Sequence, residues 1–155
     1  MLRLSGGGFI ALIAALNTTP VLSQAANFAN LSLSPGFPPT AGQVPGNTGG
    51  AYSLSSIANS DRNKTPCIGY GAETPDHILV LEKNFPKLTV QVNSRARDTT
   101  IVVRGPGDFT LCGDDTGASK DASVEAFNWK AGEYRIWVGS INPRQRWNYT
   151  LTVRE

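Results

Sequence analysis

The chain has 155 residues, of which 40% are hydrophobic and 17% charged, with a formal net charge of +2. That length fits one domain with a real core, and a charge so close to balance, with no basic cluster along the sequence, argues against nucleic acid as a partner. The two cysteines, Cys67 and Cys112, are too far apart in sequence to suit zinc, which wants four ligands in close pairs.

The chain opens with Arg3, then Gly6 to Gly8, then an apolar run from Phe9 to Leu16 that is too short to cross a bilayer. Ser23-Gln24-Ala25 follows at the spacing a signal peptidase reads, so residues 1–25 are expected to be a cleavable signal peptide. Every later apolar run is interrupted by charge, Gly or Pro within about eight residues, and no membrane span is expected. The mature protein is therefore expected to be secreted or periplasmic. In such an oxidising compartment Cys67 and Cys112, far apart in sequence, read most simply as one disulfide.

Residues 26–66 are rich in Gly, Pro, Ser, Asn and Thr, a linker-like composition. Two pieces alternate as half-buried strands do: Ala29 to Leu33 and Ala51 to Ile57. The main part of the domain, residues 67–155, carries short β-rich runs separated by turns roughly every ten residues. His77 to Glu82 is one run, and in the next Leu88, Val90 and Val92 share a face opposite Thr89, Gln91 and Asn93. Thr99 to Arg104 is apolar enough to be buried on both faces, and Gly105-Pro106-Gly107-Asp108 turns the chain into Phe109 to Cys112. After an acidic loop come strands at Ser123 to Trp129, at Tyr134 to Val138 with Tyr134, Ile136 and Val138 inward, and at Trp147 to Arg154. Trp147, Tyr149, Leu151 and Val153 read as one core face. No helical periodicity appears beyond the leader. The expected fold is all-β, a two-sheet antiparallel sandwich of jelly-roll type with about eight or nine strands.

Pro75-Asp76-His77, the stretch from Asp98 to Gly107, Cys112-Gly113-Asp114-Asp115 and the stretch from Ala131 to Ser140 occur in an order and spacing that resembles the bacterial pre-peptidase C-terminal domain, in its small secreted stand-alone form. Leu33 to Phe37 and Gly49-Gly50 extend the resemblance over most of the mature chain. It implies a non-catalytic β-sandwich that serves secretion, localisation or substrate binding, with calcium in some members. Thr100 departs from the pattern, since many members carry a second acid two residues after the position of Asp98.

Among candidate sites, the strongest is a calcium site from Asp98, Asp114, Asp115 and Asp121, because hard carboxylate oxygens on a Gly-containing loop suit that ion. The competing reading is a solvated acidic turn. Trp137 alternates away from the core residues beside it and, with Arg135, is the candidate ligand-binding pair for an extracellular protein or polysaccharide; the stronger competing reading is that a loop or the second sheet covers Trp137. His77 reads as a structural residue at a strand entrance, with Asp76 on the opposite face, and Arg144 and Arg146 as solvated turn charges. No enzyme is expected. The chain reads first as a binding or accessory module, then as a structural or protease-inhibitor-like protein using Ile141 to Arg146, and last as a hydrolase.

Overall fold

Alternation of apolar and polar residues produces two packed sheets in the computed structural model, which describes residues 25–155. The expected signal peptide falls on residues that lie outside this range but for Ala25. In chain order the strands are β1 (Leu31–Leu33), β2 (Gln43–Asn47), β3 (Tyr52–Ser53), β4 (Tyr70–Gly71), β5 (His77–Leu81), β6 (Phe85–Asn93), β7 (Thr99–Arg104), β8 (Thr110–Gly113), β9 (Ser123–Trp129), β10 (Gly132–Ser140) and β11 (Asn148–Arg154). The first sheet runs β1-β5-β10-β4-β3, with β7 pairing both β10 and β8; the second runs β2-β11-β6-β9. Pairing is antiparallel except between β1 and β5. The all-β sandwich is as expected from the sequence, with eleven strands among the described residues in place of eight or nine.

Alternate residues of the long strands meet between the sheets. Leu88, Val90 and Val92 from β6, Tyr134, Ile136 and Val138 from β10, and Tyr149, Leu151 and Val153 from β11 are all buried there. Phe109, Trp129 and Tyr134 close one end of this core, with ring centroids 4.6 to 5.1 Å apart. Such aromatic packing adds to simple burial through edge and offset contacts.

β7 is buried on both faces because the first sheet carries a second layer outside it. Ile101 and Val103 face the main core, whereas Val102 joins Leu54, Cys67, Cys112 and Trp137 in a separate cluster. Segment 54–73 forms this cover. Cys67 is bonded to Cys112 with their Cα atoms 5.2 Å apart, and Asp61 fastens the same segment. Its carboxylate accepts from the backbone N–H groups of Asn63, Thr65 and Cys112.

Three expectations need correction. The leading segment contributes an unexpected strand, β2, in which Pro45 is tolerated because β2 lies at the sheet edge and pairs with β11 alone. The run Ala51 to Ile57 is a strand only at Tyr52–Ser53, followed by a 3-10 turn at Leu54–Ser56 that folds into the outer cluster. Trp147 lies just before β11 and outside the core, where it is half-buried, because the strand's alternation begins only at Asn148.

Candidate functional site

β8 and β9 are joined by an acidic loop that returns through a tight turn, with Thr116 and Ser119 bridging and Gly117 in the left-handed region at φ 59°. Asp98 sits immediately before β7, whose pairing with β8 brings it beside this loop. Carboxylate oxygens of Asp98, Asp114 and Asp115 come within 4.8 Å of one another. One oxygen of Asp114 is buried and has no hydrogen-bond partner. Burial raises the Asp114 carboxyl above its ordinary range, and the charges of Asp115 and Asp98 push it further up. Lys120 answers part of this charge, its Nζ lying 2.8 Å from Asp115 Oδ2.

Asp121 does not join the cluster, which corrects the expected ligand set. Its carboxylate instead accepts hydrogen bonds from Ser94 N, Ser94 Oγ and Ala96 N, and so holds the loop between β6 and β7. Burial alone would raise its pKa, but these donors together bring it below the usual range. Sequence proximity grouped Asp121 with Asp114 and Asp115, whereas its side chain serves the neighbouring turn. Thr100, at the position where many relatives carry the second acid, is fully buried, and a side chain on Gly69 or Gly139 would strike it. Position 100 is a packing position in this chain.

The candidate pairing of Trp137 with Arg135 is also corrected, and of the two readings of Trp137 the covered one holds. Trp137 does point away from the main core, as alternation requires, but segment 54–73 covers it, leaving 6% exposed, and its Nε1 donates to the Glu73 carbonyl at 3.0 Å. Arg135 remains on the surface, next to Arg104 across the β10–β7 pair and 3.6 Å from Glu133. The two residues do not form a common binding surface.

His77 is completely buried. Its Nδ1 lies 2.8 Å from the Ala29 carbonyl, which can only accept, so Nδ1 carries the proton and Nε2 accepts from the Tyr149 hydroxyl at 2.9 Å. Burial lowers the His77 pKa, opposed by the Ala29 contact, and the ring is held neutral. Asp76 is buried on the other side of the strand entrance. Its carboxylate accepts from Val138 N at 2.7 Å and Asn27 Nδ2 at 2.9 Å.

Comparison with known proteins gives a likeness at the level of structure. The chain is similar to a pre-peptidase C-terminal domain. That domain belongs to the collagenase of Bacillus anthracis; the match has a TM-score of 0.47 and 14% identity, covering 85% of this chain and 100% of that one. The chain is also similar to CorA, a surface-associated copper-binding protein of Methylomicrobium album BG8, with a TM-score of 0.47 and 10% identity over 83% of this chain and 98% of that one. No family model and no curated protein matches the sequence.

Proposed function

We propose that this chain is an exported, non-catalytic binding or accessory module whose acidic loop is closed by calcium. The observation that carries the calcium reading is the orphaned, buried oxygen of Asp114 within a triad of carboxylates. Like charges this close repel one another, and a cation supplies the missing partner. The residues fit the group in type: Asp98, Asp114 and Asp115 offer hard oxygens, and calcium completes its shell of six to eight with carbonyls and water. Lys120 is the rival cation. Its single ammonium contacts Asp115 and leaves the Asp114 oxygen unanswered.

The non-catalytic reading is supported by the chemistry of the buried groups. Both nitrogens of the only histidine are engaged inside the fold, and both cysteines are in the disulfide. The imidazole is therefore withheld as a general base and neither thiol is free to act as a nucleophile.

Thermal melts with calcium and with chelator test the metal. Millimolar calcium is expected to raise the midpoint, since a ligand of the native state alone stabilises according to its concentration over Kd. Asp114→Asn is expected to abolish that response while melting no lower than the unsubstituted chain in chelator, because it removes the repelled charge. An absent calcium shift, or one retained in Asp114→Asn, would leave the acidic turn paired by Lys120 and solvent alone.

Export predicts that the mature chain begins near Ala26. Mass spectrometry of protein recovered outside the cytoplasm reads this directly, and an intact Met1 would refute it.

A further inference from the structure

On the second sheet, away from the covered face of the first, the outward side chains at one end of β6 and β11 are carboxamides. Asn93 and Asn148 are exposed there, and Asn93 faces Thr150 across the strand pair. This end of the sheet floors an open groove of about 760 Å³. One wall is the loop after β6, carrying Arg95 and Arg97; the other is the segment before β11, carrying Arg146 and Trp147.

Three arginines therefore line one groove, and no carboxylate lines it. The ion pairs among the described residues, Lys87–Glu125, Lys120–Asp115 and Arg135–Glu133, include none of these arginines. Arg97 lies 6.0 Å from the centre of the Trp147 ring, so one guanidinium and the half-exposed indole stand together.

Both walls are built rather than loose. Asp121 grips the first through Ser94 and Ala96, and Arg95 and Ala96 are held in left-handed conformations at φ 62° and 60°. Such backbone is unfavourable for residues with a side chain and persists where surrounding contacts enforce it. Thr48, fully buried, grips the second wall: its Oγ1 donates to the Gln145 carbonyl at 2.7 Å and accepts from Trp147 N at 3.0 Å.

We infer that this groove binds a carboxylated sugar chain, an acidic polysaccharide of uronate type. Guanidinium forks match carboxylates in bidentate geometry, an indole face packs against a sugar ring, and the floor offers hydroxyls the carboxamide of Asn148 and the carboxamide oxygen of Asn93, whose Nδ2 already donates to Thr150 and Thr152. An open groove on a sheet accommodates an extended chain rather than an enclosed small molecule. An acidic peptide would use the arginines and the carboxamides but brings no sugar ring to the indole face, and a chain so nearly neutral overall lacks the field for general polyanion binding. The inference deepens the binding role proposed above; of the acidic loop it uses only Asp121, which holds the first wall, and not the triad of Asp98, Asp114 and Asp115.

The test is calorimetric titration of the mature chain with polygalacturonate, with its methyl ester, with polyglutamate and with a single-stranded oligonucleotide, each in calcium and in chelator. Polygalacturonate is expected to bind in both buffers and the methyl ester at least tenfold more weakly. Arg97→Gln and Arg146→Gln are each expected to weaken binding about tenfold, and Trp147→Ala further, with melting midpoints showing an intact fold. Arg154→Gln, at the other end of the same sheet, is expected to bind normally. The inference is overturned by no binding, by equal binding of the ester, by tighter binding of polyglutamate or the oligonucleotide, or by an equal loss in Arg154→Gln. Binding lost only in chelator would also overturn it, while the calcium melts judge the acidic loop separately.

Discussion

Replacing Cys67 and Cys112 together by Ala is expected to destabilise the protein by about 4 kcal/mol, the loop-closure entropy that a crosslink across 45 residues removes from the unfolded chain. The disulfide also joins segment 54–73 to β8, so the loss should not be spread evenly through the fold. The outer cluster of Leu54, Val102 and Trp137 depends on that segment remaining in place, with Asp61 as its other fastening. The two-sheet core has its own contacts and should persist. Denaturant melts read the overall loss, and trypsin under native conditions reads its location, since Arg62 and Lys64 are exposed on the covering segment. The expected result is early cleavage there in the variant or under reductant. An unchanged midpoint, or cleavage no faster than in the oxidised protein, would show that hydrogen bonding and packing hold the cover without the bond.

The cover also explains which parts of the molecule were legible in the sequence. Period-two alternation located β9 and β11 to within a residue and the inner parts of β6 and β10, whose ends reach Phe85 and, for β10, Gly132 and Ser140, because alternate residues of each face the core. The same rule assigned Trp137 to the correct side of β10. It could not show that a segment seventy residues earlier in the chain lies over that side. β2 was hidden because Pro45 and Gly46 interrupt its pattern, and its place in the fold comes from edge pairing with β11 rather than from strand propensity.

The sites divide along similar lines. Asp114 and Asp115 are neighbours in sequence, and Asp98 joins them because β7 and β8 pair, so the triad could be anticipated from strand order. The basic groove could not. Arg95 and Arg97 are about fifty residues from Arg146, and only the pairing of β6 with β11 brings their loops to one end of a sheet. Arg146 read as a solvated turn charge, and nothing in the sequence around Arg95 and Arg97 joined them to it. Asp121 failed in the opposite sense, near the acids in sequence but committed to the Ser94 turn in space.

Asp76→Asn is expected to change the pH dependence of stability by about 2 kcal/mol between pH 4 and pH 7, in the variant's favour toward the higher pH. Asp76 is only 3% exposed, and burial pushes its carboxyl from an ordinary 3.8 up to about 6, against the pull of the Asn27 and Val138 donors. Below the unfolded value both states hold the proton, and the charge costs nothing. Between that value and about 6 the unfolded chain has ionised while the folded chain has not, so native stability falls as pH rises. Above about 6 the folded carboxyl is ionised too, and the cost is complete. His77 acts in the opposite sense, because burial lowers its pKa: the unfolded ring gains a proton the folded ring refuses, and stability is lost as pH falls through 6.5. In the unsubstituted protein the two effects partly cancel, so its own pH profile would hide both. The difference between native and variant removes the His77 contribution and that of the acidic loop, leaving Asp76. The substituted amide can still accept from Val138 N–H through its oxygen, and Asn27 can turn its own carbonyl oxygen toward the new donor, giving up only its exposed bond to the Thr74 carbonyl, so the fold is retained. Urea melts of both proteins at half-unit steps measure the difference directly. A difference that stays constant from pH 4 to pH 7 would mean that the buried carboxyl titrates near its ordinary value, with the two N–H donors fully offsetting its burial.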